Sequence, residues 1–139
     1  MAAPTLFVGI DLGTTNSTAA VFDGSKVDAV RGPDGSPLTP SVVRIDAKGG
    51  VTVGARARRY LDTDPDNARG EFKRLMGSAH KLSFAAAKVE KTPAELSAEV
   101  LLSLLASTKE QTGMDVDQCV ISVPALFELH QTAATGDAA

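Results

Sequence analysis

Apolar runs separated by polar or breaker-rich corners set the layout of the first half of the chain. Phe7, Val8 and Ile10 form a run with the β-branched content of a buried strand. Asp11-Leu12-Gly13-Thr14-Thr15-Asn16 breaks it with a polar corner, and Ala19-Ala20-Val21-Phe22 restores the apolar pattern, so the unit reads as strand, tight turn, strand. Lys26 to Arg31 alternates well enough for a third strand. The cluster Gly32-Pro33-Asp34-Gly35-Ser36-Pro37 must be turn or loop. Thr39-Pro40 leads into Ser41–Ile45, a further strand, and Val51–Val53 returns after a turn at Asp46–Gly50.

From Ala55 the period turns helical, through about Leu61. Asp62-Thr63-Asp64-Pro65-Asp66-Asn67 ends that helix. Its alternate carboxylates invite a calcium-loop reading, but Asn67 stands where the loop glycine belongs and Lys73 where its bidentate Glu belongs. Capping and turn roles are expected instead. A second helical segment is predicted from Ala68 to about Met76, ending near Gly77. Between 78 and 91 only Leu82, Phe84 and Val89 suggest a short strand.

The best-marked element is a helix from Pro93 to about Thr112. Thr92 is a good N-cap, Pro93 suits the first helical position, Glu95 completes a capping box and Gly113 is a natural terminator. Leu96, Val100, Leu101, Leu104 and Leu105 make one apolar stripe, which reads as packing rather than chemistry. Gln118 to Val123 is a continuous apolar strand of the sort buried on both faces, with Cys119 as a core residue. Pro124 ends it, and Phe127 to Ala139 begins another helix. Short turns make the first three strands antiparallel; the strand at 118–123, after a long excursion, can join them in parallel. The fold class is α/β.

Composition narrows the class. With 43% hydrophobic and 22% charged residues, the 139-residue chain has the make-up of a water-soluble globular domain with a real core. A net charge of −3 argues against nucleic acid, and Arg56, Arg58 and Arg59 read as one solvated helix face. One cysteine, Cys119, forbids an internal disulfide and fits a reducing compartment. With neither a membrane span nor a basic-then-apolar leader, the expected location is cytoplasmic, with no membrane partner. His80 and His130 share no ligand spacing.

The polar corner is where chemistry is expected. Gly13 would permit a positive φ and close backbone approach, so that consecutive amides converge on one oxyanion. Thr14 and Thr15 add hydroxyl donors, and Asp11 supplies a hard oxygen of the kind Mg²⁺ accepts, often through water. Ordinary hairpin-turn chemistry would use the same residues. Neither Gly-x-x-x-x-Gly-Lys-Ser/Thr nor Gly-x-Gly-x-x-Gly between strand and helix occurs, so any phosphate held here is held by a β-hairpin loop.

Through Gly9-Ile10-Asp11-Leu12-Gly13-Thr14-Thr15-Asn16-Ser17 the chain resembles the DnaK-type seventy-kilodalton heat-shock chaperones. Three later stretches agree in order. Leu38-Thr39-Pro40-Ser41-Val42-Val43 resembles the family's Thr-Pro-Ser strand, and Phe72-Lys73-Arg74-Leu75-Met76-Gly77 its Lys-Arg-Leu-Ile-Gly helix end. Val120-Ile121-Ser122-Val123-Pro124-Ala125-Leu126-Phe127 resembles its Ile-Thr-Val-Pro-Ala-Tyr-Phe stretch. The Lys-Arg-Leu-Met-Gly-Ser wording and the short 78–92 region lean toward the HscC-like branch.

The resemblance implies an actin-like ATPase (ribonuclease H-like) fold, here partial: lobe one, with a mixed sheet and an inserted small α/β subdomain. Residues 1–33 and 114–139 would form the core subdomain and 34–113 the insertion. It implies ATP or ADP with Mg²⁺, Asp11 in the metal's shell through water, and Gly13, Thr14, Thr15 and Asn16 lining the β/γ-phosphate loop. Lys73 would face the γ-phosphate and orient the attacking water, with Asp11 and Lys73 as the catalytic pair, and Pro124 would serve interlobe coupling. For the full-length parent it implies binding of unfolded polypeptide, a J-domain co-chaperone and a nucleotide-exchange factor.

Thr132 stands where the family has an arginine, and Leu126 where it has tyrosine, so the proline–arginine relay lacks its second member. The sequence shows no second Asp-x-Gly-x-Gly-Thr loop and no adenosine loop, and weak or absent turnover is expected of this chain. A sugar or polyol kinase shares the fold and an Asp-x-Gly-Thr corner, but the other three motifs favour the chaperone. A non-catalytic interaction module or remnant is the alternative from another class.

Overall fold

The computed structural model describes residues 7–22, 24, 26–72, 81–113 and 118–122. The opening hairpin is β1 (Phe7–Leu12) and β2 (Asn16–Phe22), antiparallel with Leu12 opposite Ser17. Side chains alternate strictly: Val8, Ile10 and Leu12 of β1 are buried, as are Ser17, Ala19 and Val21 of β2. β3 (Val27–Ala29) continues the meander antiparallel to β2.

β4 (Thr39–Pro40) is too short to stand alone and pairs with the start of β2, while β5 (Val42–Ile45) turns into a different sheet. The strand predicted over Ser41–Ile45 thus starts at Val42, and the Thr39-Pro40 lead-in is a short strand of its own. β5 is flanked by β6 (Val51–Val53) and β7 (Ala68–Gly70), both antiparallel. Helix α1 (Ala55–Thr63) links β6 to a 3₁₀ turn at Pro65–Asn67. Asp64 accepts from Arg44 Nε at 3.1 Å and from Asn67 Nδ2 at 2.8 Å, which ties β5 to the end of α1. Arg56, Arg58 and Arg59 are all exposed.

The expected helix from Ala68 does not start there. The open edge of β5 draws Ala68–Gly70 into a strand, and Glu71 then adopts a left-handed φ of 53° that ends any regular run. The remainder of that predicted segment, 73–77, lies outside the described residues. Residues 82–91 form a hairpin rather than one strand: β8 (Leu82–Phe84) against β9 (Val89–Lys91).

Helix α2 (Pro93–Thr112) carries the predicted capping box, with the Glu95 amide donating to Thr92 Oγ1 and the Thr92 amide to Glu95 Oε1. Gly113 closes it in the left-handed region at φ 72°. Leu96, Val100, Leu101 and Leu104 are buried, Leu105 only partly, and Thr108 continues the stripe with its hydroxyl returned to the Leu104 carbonyl. Near the end of α2 the Gln111 side-chain amide accepts from the Arg31 amide and donates to the Ala29 carbonyl, as a neighbouring strand would beside β3.

β10 (Gln118–Ser122) joins β1 in parallel, as its long connection predicted. The sheet order is β10-β1-β2-β3, with β4 on β2. Among the described residues β10 is an edge strand, and Val120 is 73% exposed, so the expectation of burial on both faces fails at that residue. One apolar cluster runs from Val8, Ile10 and Val21 through Val43, Phe72 and Phe84 to the α2 stripe. Helix α2 bridges the two larger sheets, which is why an apolar stripe of that length is needed. Among the described residues no helix is long and apolar enough to cross a membrane.

Candidate functional site

The turn between β1 and β2 is held from behind. Gly13, Thr14 and Thr15 cross from one strand to the other, with Thr15 exposed and Gly13, Thr14 and Asn16 half-buried. The Ser41 amide donates to the Thr15 carbonyl at 2.9 Å, and Ser41 Oγ donates to the Gly13 carbonyl at 2.8 Å. Ser17 Oγ lies 2.8 Å from Ser41 Oγ. Ser41 has one hydroxyl proton and spends it on Gly13, so Ser17 is the donor in that pair. Both serines are buried, at 0% and 2% exposure, so water does not compete for these bonds.

The motif Thr39-Pro40-Ser41 owes its place to this bracing. The Ser41–Thr15 bond belongs to an antiparallel ladder, whose bonded pairs alternate along the strand. Asn16 and Pro40 therefore face each other at a non-bonded position, where the missing proline N–H costs nothing.

Gly13 is required for a reason other than the expected one. Its φ is not in the left-handed region; instead, a Cβ there would lie inside the van der Waals shell of the Asn16 carbonyl oxygen. With the carbonyls of Gly13 and Thr15 taken up by Ser41, the groups the loop keeps for a ligand include its amides and the two threonine hydroxyls. Those are donors, and donors suit an anion.

Asp11 stands beside the loop. Alternation along β1 puts its exposed carboxylate on the face opposite Leu12, with Thr18 of β2 and Ser122 of β10 as strand neighbours. From Asp11 a shallow trough runs back along that face, floored by Gly9, Ala20 and Ala29 and walled by Val120. Side chains that small leave room for a ligand lying against the sheet. Among the described residues no three His, Cys, Asp or Glu side chains gather as a metal cage. Mg²⁺ asks for less: one or two carboxylates, waters and substrate phosphates. The residues present fit that demand, with Asp11 as the carboxylate and the loop as the phosphate wall.

Lys73 and Pro124 lie outside the described residues, so the structure brings together Asp11, Gly13, Thr14, Thr15 and Asn16 alone of the predicted set. Ser17 and Ser41 were missed as parts of the site. Their signal was present, since a serine following Thr-Pro between two strands is where one chain can brace another.

The mixed sheet, antiparallel at the start and joined in parallel by a late strand, makes this an α/β protein with a polar hairpin corner at the end of its first strand. A family model described as Hsp70 protein matches residues 7–93 and 79–139. The chain belongs to the Hsp70 family, and its fold is accordingly the actin-like ATPase fold in partial form, a mixed α/β assembly with several sheets and two α-helices among the described residues. Members of that family are chaperones that bind ATP and ADP with Mg²⁺ and take unfolded polypeptide.

Proposed function

We propose that this chain is nucleotide-binding machinery of a seventy-kilodalton heat-shock chaperone, with Asp11 and the Gly13–Asn16 loop forming one wall of an ATP site. The observation that supports it is the braced loop: the Gly13 and Thr15 carbonyls are both drawn onto Ser41, which leaves amides and threonine hydroxyls next to a strand-end carboxylate. The amides and threonine hydroxyls bind and orient the β- and γ-phosphates. Asp11 would hold Mg²⁺ through water. When bound, that ion neutralises charge on the phosphates. Lys73, on its sequence context, faces the γ-phosphate and orients the attacking water, where a cation stabilises charge spread over the transferred oxygens. Pro124 acts in coupling between lobes. In the parent protein the nucleotide cycle drives binding and release of unfolded polypeptide, assisted by a J-domain co-chaperone and a nucleotide-exchange factor. Residues 1–33 with 114–139 form the core subdomain of this lobe, and 34–113 its insertion.

The 139-residue chain carries one phosphate loop of this type, and a single wall cannot sequester the reaction from water. Binding of MgATP with weak turnover is the expected behaviour. Isothermal titration of MgATP against wild type and Asp11→Ala tests it. Wild type should bind, and Asp11→Ala should bind at least about tenfold more weakly, the loss of one charge-assisted contact of about 1.4 kcal/mol. No heat with wild type, or equal affinity in the variant, would overturn the reading. Phosphorylation of a polyol would move it to the kinase.

A further inference from the structure

We propose that Ser41 is a positioning residue for phosphate binding, acting through the main chain of the loop without touching the ligand. The inference rests on the phosphate reading of the Gly13–Asn16 loop and adds the residue that sets the loop's donors.

The geometry is carried by two peptide planes. The Gly13 carbonyl and the Thr14 amide belong to one rigid trans peptide, as do the Thr15 carbonyl and the Asn16 amide. In a trans peptide the C=O and N–H point in opposite directions. Ser41 Oγ holds the first carbonyl at 2.8 Å and the Ser41 amide holds the second at 2.9 Å. Fixing both carbonyls on one buried residue therefore turns the Thr14 and Asn16 amides away from Ser41. A four-residue hairpin turn with unheld carbonyls has several ways to orient these planes; this one has two of its planes set before any ligand arrives.

The direction of the Ser41 hydroxyl is itself determined. The Gly13 carbonyl can only accept, so the Ser41 proton goes to it and the Ser17 hydroxyl donates into Ser41 Oγ across 2.8 Å, holding that oxygen from behind. Ser17 sits inside β2 opposite Thr39, so the relay connects the hairpin's own strand, the start of the second sheet and the loop. A binding loop preorganised in this way loses less conformational freedom when its ligand binds. Removing the Ser41 hydroxyl leaves the amide bond to Thr15 in place and releases the Gly13–Thr14 plane alone.

The test uses the full chain with MgATP as the probe, in wild type, Ser41→Ala, Ser41→Thr and Ser17→Ala. Isothermal titration gives affinity, amide hydrogen exchange gives ligand-induced protection over residues 13–16, and thermal melting reports stability. Ser41→Ala should weaken MgATP binding about tenfold and abolish ligand-induced protection of the Thr14 amide. Ser41→Thr, which keeps the hydroxyl, should restore both, and Ser17→Ala should weaken binding about threefold, since it removes only the donor that orients Ser41. If wild type and Ser41→Ala bind within twofold while the melting temperature of the variant falls, Ser41 is structural only and the proposal fails, with the phosphate reading intact. If wild type itself does not bind, the phosphate reading falls and takes this role with it. Should Ser41→Ala fail to fold, Ser17→Ala decides: affinity equal to wild type refutes the proposal.

Discussion

Gly13→Ala probes the loop most directly. The added Cβ would press against the Asn16 carbonyl oxygen, with the Asn16 carbonyl carbon 3.2 Å away. Both are backbone atoms, so no rotamer change relieves the contact and the turn itself must open. Opening it pulls the Gly13 and Thr15 carbonyls off Ser41, whose two donors bond at 2.8 and 2.9 Å. Each lost bond costs about 1 kcal/mol net, and about 1–3 kcal/mol where a buried group is left unsatisfied, as the Ser41 amide would be. A total of about 2–4 kcal/mol is a large fraction of the roughly 5–15 kcal/mol that holds a domain together. At about 3 °C per kcal/mol for a chain of this length, the melting temperature should fall by about 6–12 °C. Gly9→Ala is the internal control: it lies on β1, the strand that leads into the turn, its added methyl would meet nothing within 4 Å, and the position needs no positive φ. It should change stability by less than about 0.5 kcal/mol. Thermal melts monitored by circular dichroism and urea titrations measure both. If Gly13→Ala melts within a degree or two of Gly9→Ala, the loop is not braced as described.

Three further outcomes are expected. Ser97 is fully buried on α2, and its Oγ has no hydrogen-bond partner among the described residues; Ser97→Ala should therefore stabilise the fold by about 1 kcal/mol, read as a higher urea midpoint at unchanged slope. The Thr92 amide holds the Glu95 carboxyl below its usual range, and the Gly50 and Lys48 amides do the same for Asp46. A carboxyl with a depressed folded pKa contributes stability above its unfolded value and loses it as pH falls through the folded value. Stability should thus decline from about pH 5 toward pH 3, and Glu95→Gln should flatten part of that slope in melts across the range. Arg44 places its guanidinium 3.9 Å from the Tyr60 ring centroid while both Nε and Nη2 lie 3.1 Å from Asp64 Oδ2. Arg44→Lys keeps the charge but loses the planar stack, and should cost about 1 kcal/mol; an unchanged melt would show the stack contributes nothing.

Local chemistry made much of this protein readable. The hairpin β1–β2 followed from two apolar runs broken by a polar corner, and α2 from a capping box, an N1 proline and a terminating glycine, because those signals act within a few residues of where they are written. The parallel addition of β10 followed from connection length alone. Asp11 and the Gly-Thr-Thr turn were legible as candidate chemistry because a polar corner interrupts an apolar run.

What failed to show was set by partners distant in the chain. Ala68–Gly70 has a helical pattern, yet the unpaired edge of β5 offers it a ladder, and pairing overrides propensity over so short a stretch. Val120 looked like a core residue, and its exposure depends on which face of β10 is covered, which no local pattern encodes. Gly13 announced flexibility in the sequence, whereas the fold uses it for want of a side chain against the Asn16 carbonyl. Ser41 lies 28 residues from Gly13, and its role exists only once β4 has docked on β2. Sequence by itself thus determined the elements and the kind of chemistry at the corner, since both are encoded by neighbouring residues. Only tertiary structure decided how that corner is held, because the hydrogen bonds that orient it come from a strand the corner meets in space.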